Sequence, residues 1–319
     1  MKTKLEVKIL KAITTNKLTK VYKDNKVVDE VSLTINKGDI YGLIGKNGAG
    51  KTTLLRMITG VAKPTSGSFT IYDDELEMPH EEALKRIGSL IDFPSYDPSM
   101  TAYENMKFIA LSLGIDNDDR LKKLLQCVSL DPEDKKKAKN FSLGMKQRLS
   151  IAMALVGNPK ILILDEPVNG MDPTGIFEIR ELLMDLNRKC GVTILISSHL
   201  LAELTKMATC YGIMSNGKLV REIRGEELNE MSRPFIKVVV DDIKKAVPIL
   251  AQTFTNANDF QILPGNTIHI FKEDETISHI EDTFNMGGVK VTEVAKCDGN
   301  LEEQLISMLG GPKSHDEIF

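Results

Sequence analysis

The stretch GKNGAGKT, residues 45–52, matches the pattern G-x-x-x-x-G-K-[ST] in full. A short apolar run, DIYGLIG (residues 39–45), precedes it, and TTLLRMITG (residues 52–60) follows with apolar residues at helical spacing. A glycine-rich turn between a strand and a helix lets backbone amides approach a polyphosphate, and the helix N-terminus favours its negative charge. The sequence therefore predicts a phosphate-binding loop at this turn.

Each position of this loop has an expected role in holding a nucleotide. The amides of residues 46–52 would surround the phosphates, and Lys51 would reach the β and γ phosphates. The hydroxyl of Thr52 would hold Mg²⁺. The predicted nucleotide-binding residues of the loop are Gly45, Lys46, Asn47, Gly48, Ala49, Gly50, Lys51, Thr52 and Thr53.

Two adjacent acids end a second apolar run, ILILDE, at residues 161–166. A continuous apolar run of this length is typical of a strand that is covered on both faces. Asp165 is expected to bind Mg²⁺ together with Thr52, directly or through water. Glu166 is expected to orient and polarise an attacking water. The alternative is that both acids only cap the next helix.

Strands alternate with helices up to about residue 224, which predicts an α/β fold with a parallel sheet. Residues 225–232 have the composition of a linker. The order of patterns beyond it is β-α-β-β-α-β, which predicts a small α+β, ferredoxin-like domain. We therefore expect a first domain over residues 13–224, with a helical subdomain at about 93–158, and a C-terminal accessory domain over residues 233–319.

Composition excludes several classes of protein. The 319 residues suggest about two domains, and a formal charge of −4 argues against a protein that mainly coats nucleic acid. The four cysteines lack the spacing of a zinc site, so we read them as reduced thiols. No apolar run reaches the about 18–20 residues that a membrane-spanning helix needs.

The motifs, taken in order, resemble those of the ATP-binding-cassette (ABC) ATPases over roughly residues 13–224. FSLGM (residues 141–145) stands in the place of that family's LSGGQ signature, which clamps the nucleotide bound to the opposite subunit. Ser142 and Gly144 match the signature, whereas Leu143 is a variant and Met145 replaces glutamine. The resemblance implies that these four residues contact ATP across a dimer.

Three further positions take their expected roles from the same resemblance. NGMDP (residues 169–173) fills the D-loop, so Asp172 is expected to cross the dimer interface. His199, after the apolar strand VTILIS, matches the switch histidine that contacts the γ-phosphate and the attacking water. Tyr22 stands where an aromatic ring stacks on adenine, or else it is an aromatic residue on a strand surface.

Asp92 departs from the family pattern, which usually has glutamine at this position to sense Mg²⁺ and to face the membrane partner. An acid here, usually glutamate, resembles the branch that serves bacitracin resistance and lantibiotic self-protection. Aspartate is one methylene shorter than glutamate, so its reach to Mg²⁺ stays open. The other interpretation is that Asp92 is a solvated loop acid.

The resemblance implies an ATP-binding subunit that works as a homodimer, or as a heterodimer with a second ABC ATPase, and hydrolyses ATP with Mg²⁺. We expect export of an antimicrobial peptide or related amphipathic compound through a separate permease, docked around residues 92–106. Such a subunit would be cytoplasmic and peripheral on the inner face of the cell membrane, and would not bind nucleic acid. The accessory domain is expected to dimerise or regulate.

Two other functions fit the sequence less well. A soluble ABC ATPase that acts on ribosomes or nucleic acid usually has two cassettes or a long coiled-coil insertion, and residues 53–140 leave room only for the helical subdomain. A regulator that binds nucleotide without hydrolysis is disfavoured because Glu166 and His199 are both present.

Overall fold

A computed structural model describes residues 10–72, 80–92, 96–225, 227, 234–254, 256, 259–272 and 276–297. The chain divides into two compact units, Met1–Gly225 and Glu226–Phe319. Most of the predicted linker, and residues 298–319 of the predicted accessory domain, lie outside the described residues.

The described part of the first unit contains ten strands in two sheets. In chain order they are β1 (Lys11–Tyr22), β2 (Asn25–Val31), β3 (Thr34–Asn36), β4 (Ile40–Ile44), β5 (Ser66–Ile71), β6 (Ile87–Leu90), β7 (Ile161–Asp165), β8 (Thr193–Ser198), β9 (Cys210–Ser215) and β10 (Lys218–Arg224). The larger sheet has the order β10-β9-β4-β8-β7-β6, and only β10 runs antiparallel to its neighbour. The predicted parallel α/β sheet is therefore confirmed.

A second, antiparallel sheet is built around β1, which pairs with β2, β3 and β5. Its apolar residues, including Ile13, Leu18 and Ile35, share one core with Leu43 and Leu55 of the phosphate-loop region. The phosphate-binding loop thus rests on a core that both sheets contribute to.

Seven α-helices and one short 3-10 helix, Ala138–Asn140, complete the described part of the first unit. The α-helices are α1 (Lys51–Ile58), α2 (His80–Leu84), α3 (Ala102–Ser112), α4 (Asp118–Cys127), α5 (Leu143–Ala154), α6 (Pro173–Cys190) and α7 (Leu201–Leu204). The start of α3 is fixed by a capping box: Thr101 Oγ1 accepts from the Glu104 amide, and Glu104 accepts from the Thr101 amide. Helices α3, α4 and α5 bury a core of their own, with Met106, Leu125 and Leu149 at its centre.

The second unit has the predicted β-α-β-β-α-β order. Its elements are β11 (Phe235–Val240), α8 (Ile243–Thr253), β12 (Phe260–Leu263), β13 (Thr267–Ile270), α9 (Ile277–Met286) and β14 (Val291–Cys297). The strands are antiparallel in the order β12-β13-β11-β14, and Val238, Leu250 and Phe284 lie in the core that the sheet shares with the helices. This arrangement is ferredoxin-like, as the sequence predicted.

Candidate active site

The phosphate-binding loop connects the central strand β4 to helix α1, and two of its glycines are required by geometry. Gly50 has a φ of +99°, and a Cβ there would lie 2.5 Å from the carbonyl oxygen of Val27. Gly45 has no room either, because its Cβ would lie 2.6 Å from the carbonyl oxygen of Met214. At these two positions, the chain can turn into α1 only if the residue has no side chain.

Lys51, the first residue of α1, points back into this loop. Its side chain is almost fully buried, at 6% exposure, and its Nζ donates to the Gly45 carbonyl at 2.6 Å. The same nitrogen lies 3.3 Å from Oε1 of Glu166. A buried ammonium needs such compensation, so the loop holds a fixed positive charge next to the acid that follows β7.

Asp165, Thr52 and Ser197 form a hydrogen-bonded cluster beside the loop. Thr52 Oγ1 donates to Asp165 Oδ2 at 2.7 Å, and Ser197 Oγ donates to Asp165 Oδ1 at 2.5 Å. Asp165 and Ser197 are paired in register on the parallel strands β7 and β8, which places them side by side. The carboxylate of Asp165 and the hydroxyl of Thr52 are the hard oxygen donors that suit Mg²⁺.

Glu166 lies between Lys51 and His199. Its Oε2 is 2.7 Å from Nδ1 of His199, and the His199 amide also donates to Oε2 at 3.3 Å. Its Oε1 is one of the few buried side-chain oxygens in the described residues that lack a hydrogen bond. The carboxylate is thus held on one side and has an acceptor position left on the other, as a base that orients a water requires.

The backbone at Glu166 supports this position. Its φ is +48°, in the left-handed region that non-glycine residues rarely adopt. Its amide donates to Ser197 Oγ at 3.0 Å. Residues in sparsely populated backbone conformations persist only where their surroundings hold them and cluster at functional sites, which fits the role predicted for Glu166.

The predicted signature and D-loop residues lie at the N-termini of two helices. Ser142 is the N-cap of α5 rather than its first residue, and its Oγ accepts from the Met145 amide at 3.3 Å. Asp172 is the N-cap of α6, where it accepts from the Gly175 amide at 2.7 Å. Both side chains accept a hydrogen bond within their own turns. Leu143, which follows Ser142 in the signature, is 50% exposed.

Asp92 has a partner that the sequence did not suggest. Its two carboxylate oxygens accept from Nε and Nη2 of Arg56, at 3.0 and 2.5 Å, and its φ is +67°. The hydrogen bonds to Asp92 raise the pKa of the Arg56 guanidinium. Asp92 is exposed, but it is ion-paired to helix α1 rather than simply solvated.

The other residues predicted to contact the nucleotide differ in exposure. Lys46, Asn47 and Gly48 are exposed, whereas Ala49 and Thr53 are buried. The ring of Tyr22, at the end of β1, is 43% exposed and has Lys20 Nζ 4.9 Å from its centre. Stacking of this ring on adenine stays a prediction.

Ser197 and Arg56 are the two residues that sequence analysis missed. A signal for Ser197 existed, because a hydroxyl ends the apolar strand VTILIS that runs beside the strand of Asp165. Arg56 carried no comparable signal, since basic residues in the last turn of a helix are common for reasons of the helix dipole.

A groove of about 330 Å³ opens next to Asp92. It is lined by Val61, Ser89, Leu90, Ile91, Asp92, Ile109, Ser150, Met153 and Ala154. On α3, Phe108 and Leu111 expose large apolar side chains to solvent. Among the described helices, none combines the length and apolarity needed to cross a membrane.

Comparison with known proteins identifies the family of the chain. The family model described as "ABC transporter" matches residues 28–169. Over 299 residues, the chain is 38% identical to the bacitracin transport ATP-binding protein BcrA of Bacillus licheniformis, and the match covers 94% of this chain and 97% of that protein. It is 42% identical over 205 residues to the lantibiotic transport ATP-binding protein SrtF of Streptococcus pyogenes, which covers 64% of this chain and 87% of the relative.

A solved structure shares the fold of the catalytic part. The dimeric, post-hydrolysis structure of the ATP-binding cassette MJ0796, bound to ADP and Pi, matches with a TM-score of 0.59 and 26% identity, over 67% of this chain and 98% of that one. The chain therefore belongs to the ABC transporter family as an ATP-binding subunit, and its activity is that of an ABC-type ATPase.

Proposed function

We propose that this subunit hydrolyses Mg²⁺-bound ATP as a dimer and so drives export of an antimicrobial peptide, or a related amphipathic compound, through a separate permease. The observation that carries the hydrolytic part is Glu166, held between Lys51 and His199 from two other elements. The cargo class is supported by the names of the relatives, which are bacitracin and lantibiotic transport proteins.

The side chains divide the chemistry of phosphoryl transfer among them. Lys51 and the loop amides neutralise the triphosphate. Thr52 and Asp165 would hold Mg²⁺, which would supply further positive charge when bound. Glu166 orients the attacking water with Oε1, which lacks a hydrogen bond and lies 3.3 Å from Lys51 Nζ. His199 fixes Oε2 of Glu166 and faces the γ-phosphate. Because phosphoryl transfer to water needs positioning more than covalent chemistry, these few groups suffice.

The second copy completes the site. Ser142, Leu143, Gly144 and Met145 of one subunit would close over the nucleotide bound to the other, and Asp172 would lie at the shared interface. One chain contributes one loop and one signature, so two chains must meet head to tail to make two complete sites. The exposed N-terminus of α5 provides backbone amides that favour the bound phosphates.

The groove beside Asp92 is the proposed permease contact. Its lining is mixed, with Ser89, Asp92 and Ser150 beside apolar side chains. The exposed Phe108 and Leu111 add apolar surface on α3. Exposed apolar surface of this kind marks interaction sites. A permease docked there would place the subunit on the inner face of the cell membrane. We assign the C-terminal unit a dimerising or regulatory role.

Transport is tested in a strain that lacks the gene. We expect the deletion to raise susceptibility to bacitracin or to a lantibiotic, wild-type protein to restore resistance, and Glu166→Gln protein to fail to restore it. The subunit should also copurify with a membrane protein after mild detergent extraction. ATPase activity that ribosomes or DNA stimulate, with unchanged susceptibility in the deletion strain, would contradict the proposal and favour a soluble ABC ATPase.

A further inference from the structure

Met171 connects the beginnings of helices α5 and α6. Its terminal methyl carbon, Cε, lies 3.4 Å from the place where a Cβ on Gly144 would be, so it packs directly against the backbone of the signature turn. The same Cε lies only 2.7 Å from the place of a Cβ on Gly175, in the first turn of α6. One flexible side chain therefore fills the space between two glycines on two helices.

Gly175 is the residue that makes this packing possible. It is buried, and its φ is not in the left-handed region, so no backbone requirement calls for glycine there. Alanine at such a helical position would ordinarily favour the helix. A methyl group at Gly175 would, however, occupy the space that the end of Met171 now uses, and would push that side chain off Gly144. The same methyl would lie 3.0 Å from Asp172 Oδ1, so this carboxylate would also have to shift by a few tenths of an ångström.

Met171 is also tied to the catalytic acid through the backbone. The Asn169 amide donates to the Glu166 carbonyl at 3.2 Å, and the Met171 amide donates to the Val168 carbonyl at 3.3 Å. This hydrogen-bonded turn holds Met171 five residues after Glu166 in a fixed relation to it. Through its contact with Gly144, Met171 thus links Glu166, the proposed catalytic base, to the signature turn of the same subunit.

A second contact lies alongside the first. Gly170 has a φ of +74°, and a Cβ there would lie 3.7 Å from Cδ2 of Leu143. Leu143 therefore stands over the backbone of Gly170, just as Met171 stands against that of Gly144. The two turns meet through two apolar contacts, and Leu143 stays half exposed on the outer side.

We propose that Met171 is a positioning residue: it fixes the signature turn of a subunit relative to its own Glu166, so that the two sites of a dimer assemble together. This inference rests on the proposed dimeric function. Met171 itself touches neither nucleotide nor water in this scheme. Its effect reaches the partner's nucleotide through Gly144, against which it packs, and through the rest of the signature turn that Gly144 belongs to.

The test is a double-mutant cycle on Gly175→Ala and Met171→Ala in full-length protein that also carries Glu166→Gln. ATP-driven dimerisation is followed by analytical ultracentrifugation. We expect each substitution to raise the ATP concentration needed for half-maximal dimerisation by roughly three- to thirtyfold. In the Met171→Ala background, Gly175→Ala should have a clearly smaller effect than it has alone, because the Cε that it displaces is gone and only the 3.0 Å approach to Asp172 Oδ1 remains.

Two readouts and a control variant separate positioning from general damage. The thermal midpoint of Gly175→Ala should be unchanged or higher, and ATP binding by the monomer should stay within twofold of the parent. The control is Gly157→Ala, whose methyl would lie at an ordinary 3.8 Å from Leu113 Cδ1 and should not affect dimerisation. Additive effects of the two substitutions, or no effect of Gly175→Ala, would overturn the inference.

Failure of the proposed function is recognised separately. If the Glu166→Gln parent does not dimerise with ATP, the dimeric function is wrong. The contact is then tested in the monomer by the methyl resonance of Met171 in ¹³C-methionine-labelled protein. Gly175→Ala should shift that resonance, whereas Gly157→Ala should not; an unshifted resonance in Gly175→Ala would overturn the inference without reference to the dimer.

Discussion

Oε2 of Glu166 and Nδ1 of His199 lie 2.7 Å apart, and the His199 amide donates to the same oxygen at 3.3 Å. The two residues follow neighbouring parallel strands, β7 and β8, so the sheet itself sets their separation. With one oxygen fixed by His199, the other faces Lys51 at 3.3 Å. The orientation of the carboxylate is therefore determined before any water approaches it.

Replacement of His199 by alanine should lower the steady-state ATPase rate by about 100-fold or more, since it removes the group that fixes the base. ATP affinity should change little, because Lys51 and the loop are untouched. The rate is measured by phosphate release and the affinity by calorimetry. His279→Ala, in the C-terminal unit, is the control and should leave the rate unchanged. A fully active His199→Ala protein would refute the role of this contact.

Lys51→Ala should weaken ATP binding by about ten- to a hundredfold, the range expected for loss of a charged hydrogen-bond donor. The substitution also leaves Oε1 of Glu166 without its neighbouring positive charge. Isothermal calorimetry checks the affinity, with the exposed Lys189→Ala as the matched control. Equal affinities for the two variants would show that Lys51 does not contact the nucleotide.

Asp92→Asn should leave the Mg²⁺ concentration for half-maximal ATPase activity within about twofold, because both Asp92 oxygens already serve Arg56. The ion pair is partly exposed, so its loss should cost less than about 1 kcal/mol of stability. A titration of activity with Mg²⁺ measures the first quantity and thermal unfolding the second. Asp185→Asn is the control, and a large increase in the Mg²⁺ requirement of Asp92→Asn alone would mean that Asp92 reaches the metal.

Acid should destabilise the C-terminal unit through His269. Burial, and then the charge of Lys237, lower the pKa of this imidazole from its ordinary 6.5, while Phe235 stacks on its ring at 4.0 Å. As the pH falls below 6.5, the imidazole takes up a proton in the unfolded chain before it does so in the folded chain. The stability that is present above pH 6.5 is therefore lost progressively as the pH falls towards, and through, the lower pKa of the folded state. His269 should titrate below 6.5 by NMR.

The matched variant for this effect is His269→Phe, which keeps a ring next to Phe235 but cannot take up a proton. Its thermal midpoint should fall less than that of the wild type between pH 7.5 and 5.5. Parallel losses in the two proteins would assign the acid sensitivity to other groups.

Local patterns were sufficient for much of this structure. The phosphate-binding loop, its flanking strand and helix, and the parallel sheet follow from residues close in sequence, because glycine geometry and apolar periodicity are local properties. The ferredoxin-like order of the second unit was predicted in the same way.

What sequence reasoning could not supply depends on contacts between distant residues. Ser197 bonds both Asp165 and Glu166 only because β7 and β8 pair in one particular register. Arg56 reaches Asp92 across 36 positions of the chain. Met171 fills the space between Gly144 and Gly175 only once the first turns of α5 and α6 are brought together. Local sequence patterns carry no information on which residues, far apart in the chain, come into contact in the fold.

Hydrolysis by Glu166→Gln tests the central claim most directly. The amide keeps the shape of the side chain but cannot act as a base. The purified variant should therefore bind ATP with the affinity of the wild type, while its rate of phosphate release should fall by about 100-fold or more. ATP-driven dimers should accumulate because the nucleotide is not consumed. A Glu166→Gln protein with the steady-state ATPase rate of the wild type would contradict the assignment of Glu166 as the catalytic base.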